Sequence, residues 1–122
     1  MTAVTLPAPT LPFLKWAGGK QRLIAQYQPN FPPPESIRHY YEPFIGSAAA
    51  FFHWQPCPAT LSDRNEQLIE VYQTVQQDVT AVIAALQPHH NDSDYFYALR
   101  AQDPEVLSPA QRAARLIYLN KT

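Results

Sequence analysis

The amino-acid sequence predicts an α/β fold, because two short apolar runs flank a turn and a helix-like segment. The first run ends at Tyr41, and the second covers Ala59 to Leu61. Acids follow both runs: Glu42 comes directly after the first, and Asp63 lies two residues beyond the second. Residues 43–47, between the runs, have the proline and glycine content of a tight turn. This order of strand, turn, helix and strand is typical of a parallel α/β sheet.

The two acids mark a candidate ligand site. In open α/β sheets, ligands bind outside the carboxyl ends of the strands. A carboxylate accepts two hydrogen bonds at once, which suits the paired hydroxyls of a ribose, and Asp63 is the candidate for that role. Residues 39–65 therefore predict half of a nucleoside-cofactor site. The alternative for Glu42 and Asp63 is that both are solvated charges beside turns.

A glycine pair followed by a lysine is the second candidate feature. Gly18 and Gly19 predict a turn whose backbone can approach a ligand closely, and Lys20 opens a helix predicted to run to Tyr27. A cation beside the free amides of a helix start attracts an anion such as a carboxylate. The alternative is a surface turn with a solvated lysine. A phosphate-binding loop is excluded, because no upstream glycine stands at the required spacing.

Length and composition limit the class of protein. The 122 residues suit one domain, and a 46% hydrophobic content is enough for a packed core. A net charge of −1 gives no general field that would attract phosphate backbones. The sequence shows no membrane-length apolar run and no signal peptide, so a cytoplasmic protein is expected. Residues 1–12 are predicted to be a flexible proline-rich arm, and residues 13–122 the folded part.

Local patterns predict the remaining elements. Pro29 to Pro34 interrupts both helix and sheet, Ser47 is a candidate cap for the helix that follows it, and Asp63 or Asn65 caps the next. The predicted strands are 37–41 and 60–62, and the predicted helices are 20–27, 48–52, 66–77, 79–86, one from 92 or 93, and one from 109. The predicted apolar faces are Leu23, Ile24 and Tyr27; Leu68, Ile69, Tyr72 and Val75; Val79, Val82, Ile83 and Leu86; Tyr95, Phe96 and Leu99; and Ala113, Leu116, Ile117 and Leu119.

Other reactive residues point to no metal or nucleophile. His89 and His90 stand beside Asp92, but adjacent histidines point apart on most backbones, so a polar loop is the better interpretation. Cys57 has no histidine or cysteine at ligand spacing, which argues against a nucleophile or a metal ligand. Most aromatic residues are expected in the core. Phe44 or Trp16 could instead stack on a nucleobase, because both lie in loops predicted to be near the ligand.

Four motifs, taken in order, resemble the amino-terminal part of Dam-type (D12 class) adenine-specific DNA methyltransferases. They are residues 13–20 (FLKWAGGK), 41–47 (YEPFIGS), 61–65 (LSDRN) and 114–122 (ARLIYLNKT). The resemblance implies an incomplete, Rossmann-like S-adenosylmethionine-dependent methyltransferase fold, of which the chain would hold the N-terminal part. It also implies methyl transfer from S-adenosylmethionine to adenine N6 in DNA.

The resemblance also implies which residues bind the cofactor. Lys20 would lie near the methionine carboxylate, residues 42–47 would surround the methionine part, and Asp63 would take the ribose hydroxyls. The full implied set is Trp16, Lys20, Glu42, Pro43, Phe44, Gly46, Ser47 and Asp63.

Two departures from the family pattern matter. The family usually has glycine where this chain has Ala48, and the added methyl group could crowd the cofactor. The Asp-Pro-Pro-Tyr motif, which in the family holds the target amine of a flipped-out adenine, does not occur in these 122 residues. No catalytic residue is therefore predicted here, and the chain looks like a fragment that is inactive alone.

The expected partners are DNA, through the missing part, and a complementary C-terminal chain. The alternative is a non-catalytic remnant or a partner-binding module of a split methyltransferase. The DNA site, and a restriction–modification role as against an orphan role, stay open at this point.

Overall fold

A computed structural model describes residues 11–16 and 20–122, and the chain divides after Ser62 into two compact units. The predicted Gly18-Gly19 turn and most of the predicted arm lie outside the described residues. Leu11 and Pro12, at the end of that arm, have no regular secondary structure.

The first unit contains a parallel pair of strands, as predicted. β1 (Tyr40–Glu42) pairs with β2 (Ala59–Leu61), and Tyr40 stands opposite Ala59 in the register. β1 begins three residues later than predicted. Pairing can begin only where the partner strand is available, and the Tyr40 N–H donates to the Pro58 carbonyl just before β2.

The predicted helix at 20–27 is present, but its predicted apolar face is wrong. A 3₁₀ turn (Gln21–Leu23) leads into α1 (Ile24–Tyr27), and only Ile24 of the predicted face is buried. Two further 3₁₀ turns, Gln28–Asn30 and Pro34–Ser36, lie in the proline-rich stretch. Proline is tolerated at the start of such a turn, since its missing N–H would have no partner there.

The entry into α2 (Ala49–Trp54) corrects the predicted cap. The N-cap residue is Ala48, not Ser47, and no side chain caps the helix. Ala48 adopts a left-handed conformation, with φ 60° and ψ 30°, and its N–H donates to the Ile45 carbonyl at 2.7 Å. The left-handed residue turns the chain into the helix, so Ser47 lies one position too early to cap it.

The core of the first unit joins α1 to α2. Ile24 packs with Ala49, Ala50 and Trp54, and Phe31 closes the cluster. The Phe31 ring stacks on Trp54 with centroids 4.0 Å apart and an angle of 6° between the planes. This stack forms an aromatic wall next to Tyr40 of β1, whose ring lies 6.3 Å from that of Phe31.

The second unit begins with α3 (Glu66–Leu86), which is kinked at Asp78. Asp78 has non-helical angles, and its carboxylate accepts the Ala81 N–H at 3.1 Å, so it caps the second segment. The kink confirms the two predicted helices at 66–77 and 79–86. Part of the apolar face predicted for the second of these helices is wrong, because Val82 is buried whereas Val79 and Ile83 are half-exposed.

Two more helices complete the second unit, α4 (Ser93–Arg100) and α5 (Pro109–Lys121). Asp92 caps α4, and Ser108 caps α5 in a capping box with Gln111, close to the predicted starts. The main packing is between α3 and α5. The most buried side chains on these two helices are Leu68, Val71, Val82, Ala113, Ala114 and Tyr118. No helix within the described ranges is long and apolar enough to cross a membrane.

Candidate functional site

An ion pair at the carboxyl end of β1 is the centre of the candidate site. The Lys20 ammonium donates to Oε1 of Glu42 at 2.9 Å. The Glu42 side chain is only 7% exposed, whereas that of Lys20 is 36% exposed. Two residues predicted separately from sequence, one before α1 and one in β1, are therefore in direct contact.

The second oxygen of the same carboxylate has its own donor. The Tyr40 hydroxyl donates to Oε2 of Glu42 at 2.8 Å. Burial raises the pKa of the Tyr40 phenol well above its ordinary value, and the hydrogen bond and negative charge of Glu42 raise it further. Tyr40 therefore stays a neutral donor, and both oxygens of the buried carboxylate are hydrogen-bonded.

Lys20 also ties this pair to the turn that follows β1. Its ammonium donates to the Phe44 carbonyl at 2.8 Å. The sequence predicted a lysine that attracts an external anion, whereas the structure gives Lys20 an internal counter-ion. Among the described residues, two of its three N–H groups donate to Glu42 and Phe44, so one N–H remains.

The turn itself has little room for larger residues. Gly46 has φ +50°, and a Cβ atom there would lie 3.3 Å from Cδ1 of Trp16. The indole of Trp16 therefore packs directly on the backbone of the turn. The Ile45 N–H donates to the Ser62 carbonyl at 3.0 Å, which joins the turn to the end of β2. Ser47, the last residue of this turn, is buried.

An open cavity of about 360 Å³ lies beside the ion pair. Its size is within the range of small-molecule sites, roughly 300–1,000 Å³. Phe44 and Tyr41 are its most exposed aromatic residues, at 76% and 69%. The lining residues are Lys20, Tyr27, Asn30, Phe31, Tyr40, Tyr41, Glu42, Pro43, Phe44, Ala50 and Trp54.

Asp63, the predicted ribose ligand, is the first residue of the second unit. It lies two residues beyond β2, as predicted, and its Oδ1 accepts the Asn65 N–H at 2.9 Å. The Asn65 side chain in turn caps α3.

The two histidines weighed as metal ligands have other partners. Nδ1 of His89 is hydrogen-bonded to the Tyr95 hydroxyl, and Nδ1 of His90 contacts the Pro88 carbonyl. Burial, followed by the charge of His90, lowers the pKa of His89.

Sequence reasoning missed the residues that hold the ion pair in place. Tyr40 was read only as part of an apolar strand, and Asn30, Phe31 and Trp54 were not assigned to the cavity. A signal for Tyr40 was present, because residues two apart in a strand share a face, which places its ring beside Glu42. The cavity wall formed by Phe31 and Trp54 has no comparable local signal, since the two residues are far apart in the chain.

Comparison with known proteins relates the chain to DNA methyltransferases. Residues 16–122 match the family of D12 class N6 adenine-specific DNA methyltransferases. The chain is 36% identical over 114 residues to the type II methyltransferase M1.LlaDCHI of Lactococcus lactis subsp. cremoris. It is 35% identical over 115 residues to the DNA adenine methylase of Haemophilus influenzae.

These matches cover most of this chain but a minor part of each relative. They include 88% of the chain and 39% of the Lactococcus protein, and 90% of the chain and 40% of the Haemophilus protein. The chain thus spans about two fifths of the length of these relatives. Since the family match extends over nearly all of its folded part, this chain belongs to the D12 class N6 adenine-specific DNA methyltransferases.

Proposed function

We propose that these 122 residues form the cofactor-binding part of an adenine-specific DNA methyltransferase with a Rossmann-like fold. The complete enzyme would transfer a methyl group from S-adenosylmethionine to adenine N6 in DNA. The observation that carries the proposal is the cavity beside the Lys20–Glu42 pair, at the carboxyl end of a parallel strand. That end of the strands is where α/β sheets bind nucleotides and cofactors.

The chemistry of this site fits S-adenosylmethionine. The remaining N–H of Lys20 suits the carboxylate of the methionine part. Glu42 has used two of its roughly four lone-pair positions, so it can still accept from the methionine ammonium. The aromatic wall suits the adenine base. We propose Asp63 as the ribose-binding residue only because its carboxylate can accept hydrogen bonds from both ribose hydroxyls.

The contribution of these residues to the reaction is binding and orientation. S-adenosylmethionine, when bound, supplies a methyl group activated by its sulfonium. Lys20 and Glu42 would hold the charged end of the cofactor, and the Gly46 turn would let its backbone approach closely. Pro43, Phe44 and Ser47 complete the turn, and the Trp16 ring packs against it at Gly46. The residues that hold the target amine would lie outside these 122 residues.

Calorimetric titration of the chain with S-adenosylmethionine tests the assignment. Lys20→Met and Asp63→Asn should each weaken binding, because the loss of a hydrogen bond to a charged group typically costs about 1.5–3 kcal/mol. That corresponds to a rise in Kd of roughly ten- to over a hundredfold. Asp63→Asn keeps an oxygen that can accept the Asn65 N–H, so the turn before α3 is preserved.

Matched controls separate the site from general charge effects. Lys121→Met and Asp94→Asn make the same changes at exposed positions elsewhere, and Kd should stay within twofold. Circular dichroism at the titration temperature confirms that each variant is folded. No binding by the wild-type chain, or equal Kd values for the site and control variants, would contradict the proposed function.

A further inference from the structure

Tyr40 connects the aromatic core of the first unit to the charged end of the cavity. Its ring lies 6.3 Å from the ring of Phe31, and Phe31 is itself stacked on Trp54. Its hydroxyl reaches Oε2 of Glu42 at 2.8 Å. The hydroxyl is thus attached to a packed framework, and the carboxylate it contacts is almost fully buried.

The hydrogen bonds continue from Glu42 to the turn. Oε1 of Glu42 accepts from Lys20, and Lys20 donates again to the Phe44 carbonyl. A lysine ammonium on a flexible stem has no preferred direction of its own. In this arrangement its direction is set by Glu42, and the rotation of the Glu42 carboxylate is set by the Tyr40 hydroxyl.

We propose that Tyr40 is a positioning residue for ligand binding: through Glu42 it orients Lys20, so that one ammonium N–H is presented to an anionic group of the ligand. The effect on cofactor affinity rests on the proposed function, whereas the orientation of Lys20 does not. Loss of the hydroxyl would free the carboxylate to rotate, and the ligand would then have to reorder Lys20 on binding.

Tyr40→Phe isolates the hydroxyl, because phenylalanine keeps the ring that contacts Phe31. Tyr97→Phe is the matched control, since Tyr97 is 63% exposed, lies in α4 and is not among the residues that line the cavity. The first readout is the Nζ resonance of Lys20 in protein labelled with ¹⁵N-lysine, assigned with Lys20→Met. The second is the calorimetric Kd for S-adenosylmethionine.

In the wild-type chain the two hydrogen bonds should slow proton exchange at the Lys20 ammonium enough to make its signal visible. Tyr40→Phe should broaden or shift this signal and raise Kd about tenfold, whereas Tyr97→Phe should change neither. A purely structural role of the ring would leave the Lys20 signal intact. With a wild-type chain that binds the cofactor, an unchanged signal or an unchanged Kd in Tyr40→Phe overturns the proposal.

Two further results keep the proposals separate. If the wild-type chain binds no S-adenosylmethionine, the proposed function fails, and the Lys20 signal alone decides whether Tyr40 orients it. If Tyr40→Phe does not fold, the wild-type chain provides the test: the Glu42 carboxyl carbon should show a larger isotope shift between H₂O and D₂O than that of exposed Glu35. Equal shifts at Glu42 and Glu35 would overturn the positioning role.

Discussion

The hydroxyl of Tyr40 donates to Oε2 of Glu42 at 2.8 Å, two residues along the same strand. Because Lys20 occupies the other oxygen, a carboxylate that is only 7% exposed has a donor on each side. This arrangement stabilises a buried charge that would otherwise be costly, and it makes the ionisation of Tyr40 relevant to stability.

The contribution of Tyr40 to the free energy of unfolding should depend on pH. Burial and the contact with Glu42 raise its folded pKa above the ordinary value of 10.0, so its contribution is complete below about pH 10. As pH rises further, the unfolded chain loses the phenolic proton first, and the free energy of unfolding falls. The difference between wild type and Tyr40→Phe should therefore shrink progressively as the pH rises above about 10. Urea denaturation of both proteins measures it, and a difference independent of pH would contradict the prediction.

The left-handed conformation of Ala48 predicts a stabilising substitution. An alanine with φ 60° pays roughly 1–2 kcal/mol relative to a right-handed residue, and glycine does not. Part of that gain is offset by the greater freedom of glycine in the unfolded chain. Ala48→Gly should therefore raise the free energy of unfolding by about 0.5–1 kcal/mol.

Ala50→Gly is the matched control for this change, because it makes the same replacement inside α2. It should lower the free energy of unfolding by at least about 0.5–1 kcal/mol, since Ala50 is helical and buried. Urea unfolding of the two variants compares them directly. Destabilisation by Ala48→Gly would show that the methyl group of Ala48 contributes more packing than its backbone costs.

Gly46→Ala should have the opposite effect in the same loop. Alanine at φ +50° is strained by about 1–2 kcal/mol. Its Cβ would also lie 3.3 Å from the Trp16 ring, which must then shift by a few tenths of an ångström. We expect lower stability in urea and a change in tryptophan fluorescence. Wild-type stability and an unchanged spectrum would mean that the turn adjusts freely.

The isolated 122 residues should not methylate DNA. The proposed cofactor site would bind and orient S-adenosylmethionine, but the Asp-Pro-Pro-Tyr sequence that holds the target amine in this family does not occur among these residues. Incubation with methyl-labelled S-adenosylmethionine and adenine-containing duplex DNA tests this, with a protein-free reaction as the control. Reproducible label at adenine N6 above that control would refute the prediction.

Local sequence predicted the starts of α3, α4 and α5 and the order of the strands correctly. Asn65, Asp92 and Ser108 cap the three helices of the second unit through bonds to amides only three residues away. Interactions of this range are encoded by neighbouring residues, so they can be read before the fold is known. Lys20, Glu42 and Gly46 can likewise be chosen as candidate site residues before the fold is known, because each stands out by residue type and position. The contacts that these three residues make cannot be predicted in the same way.

The sequence by itself determined which residues are chemically equipped for a site, but only the tertiary structure decided how they pair. Lys20 meets Glu42 across 22 positions of chain, and Trp16 covers Gly46 across thirty. The direction of a side chain in such contacts depends on the packing of α1, α2 and β1 together, not on its neighbours in sequence. Ala48 shows the same limit, because alanine prefers a right-handed backbone and only the path of the chain into α2 imposes the left-handed one.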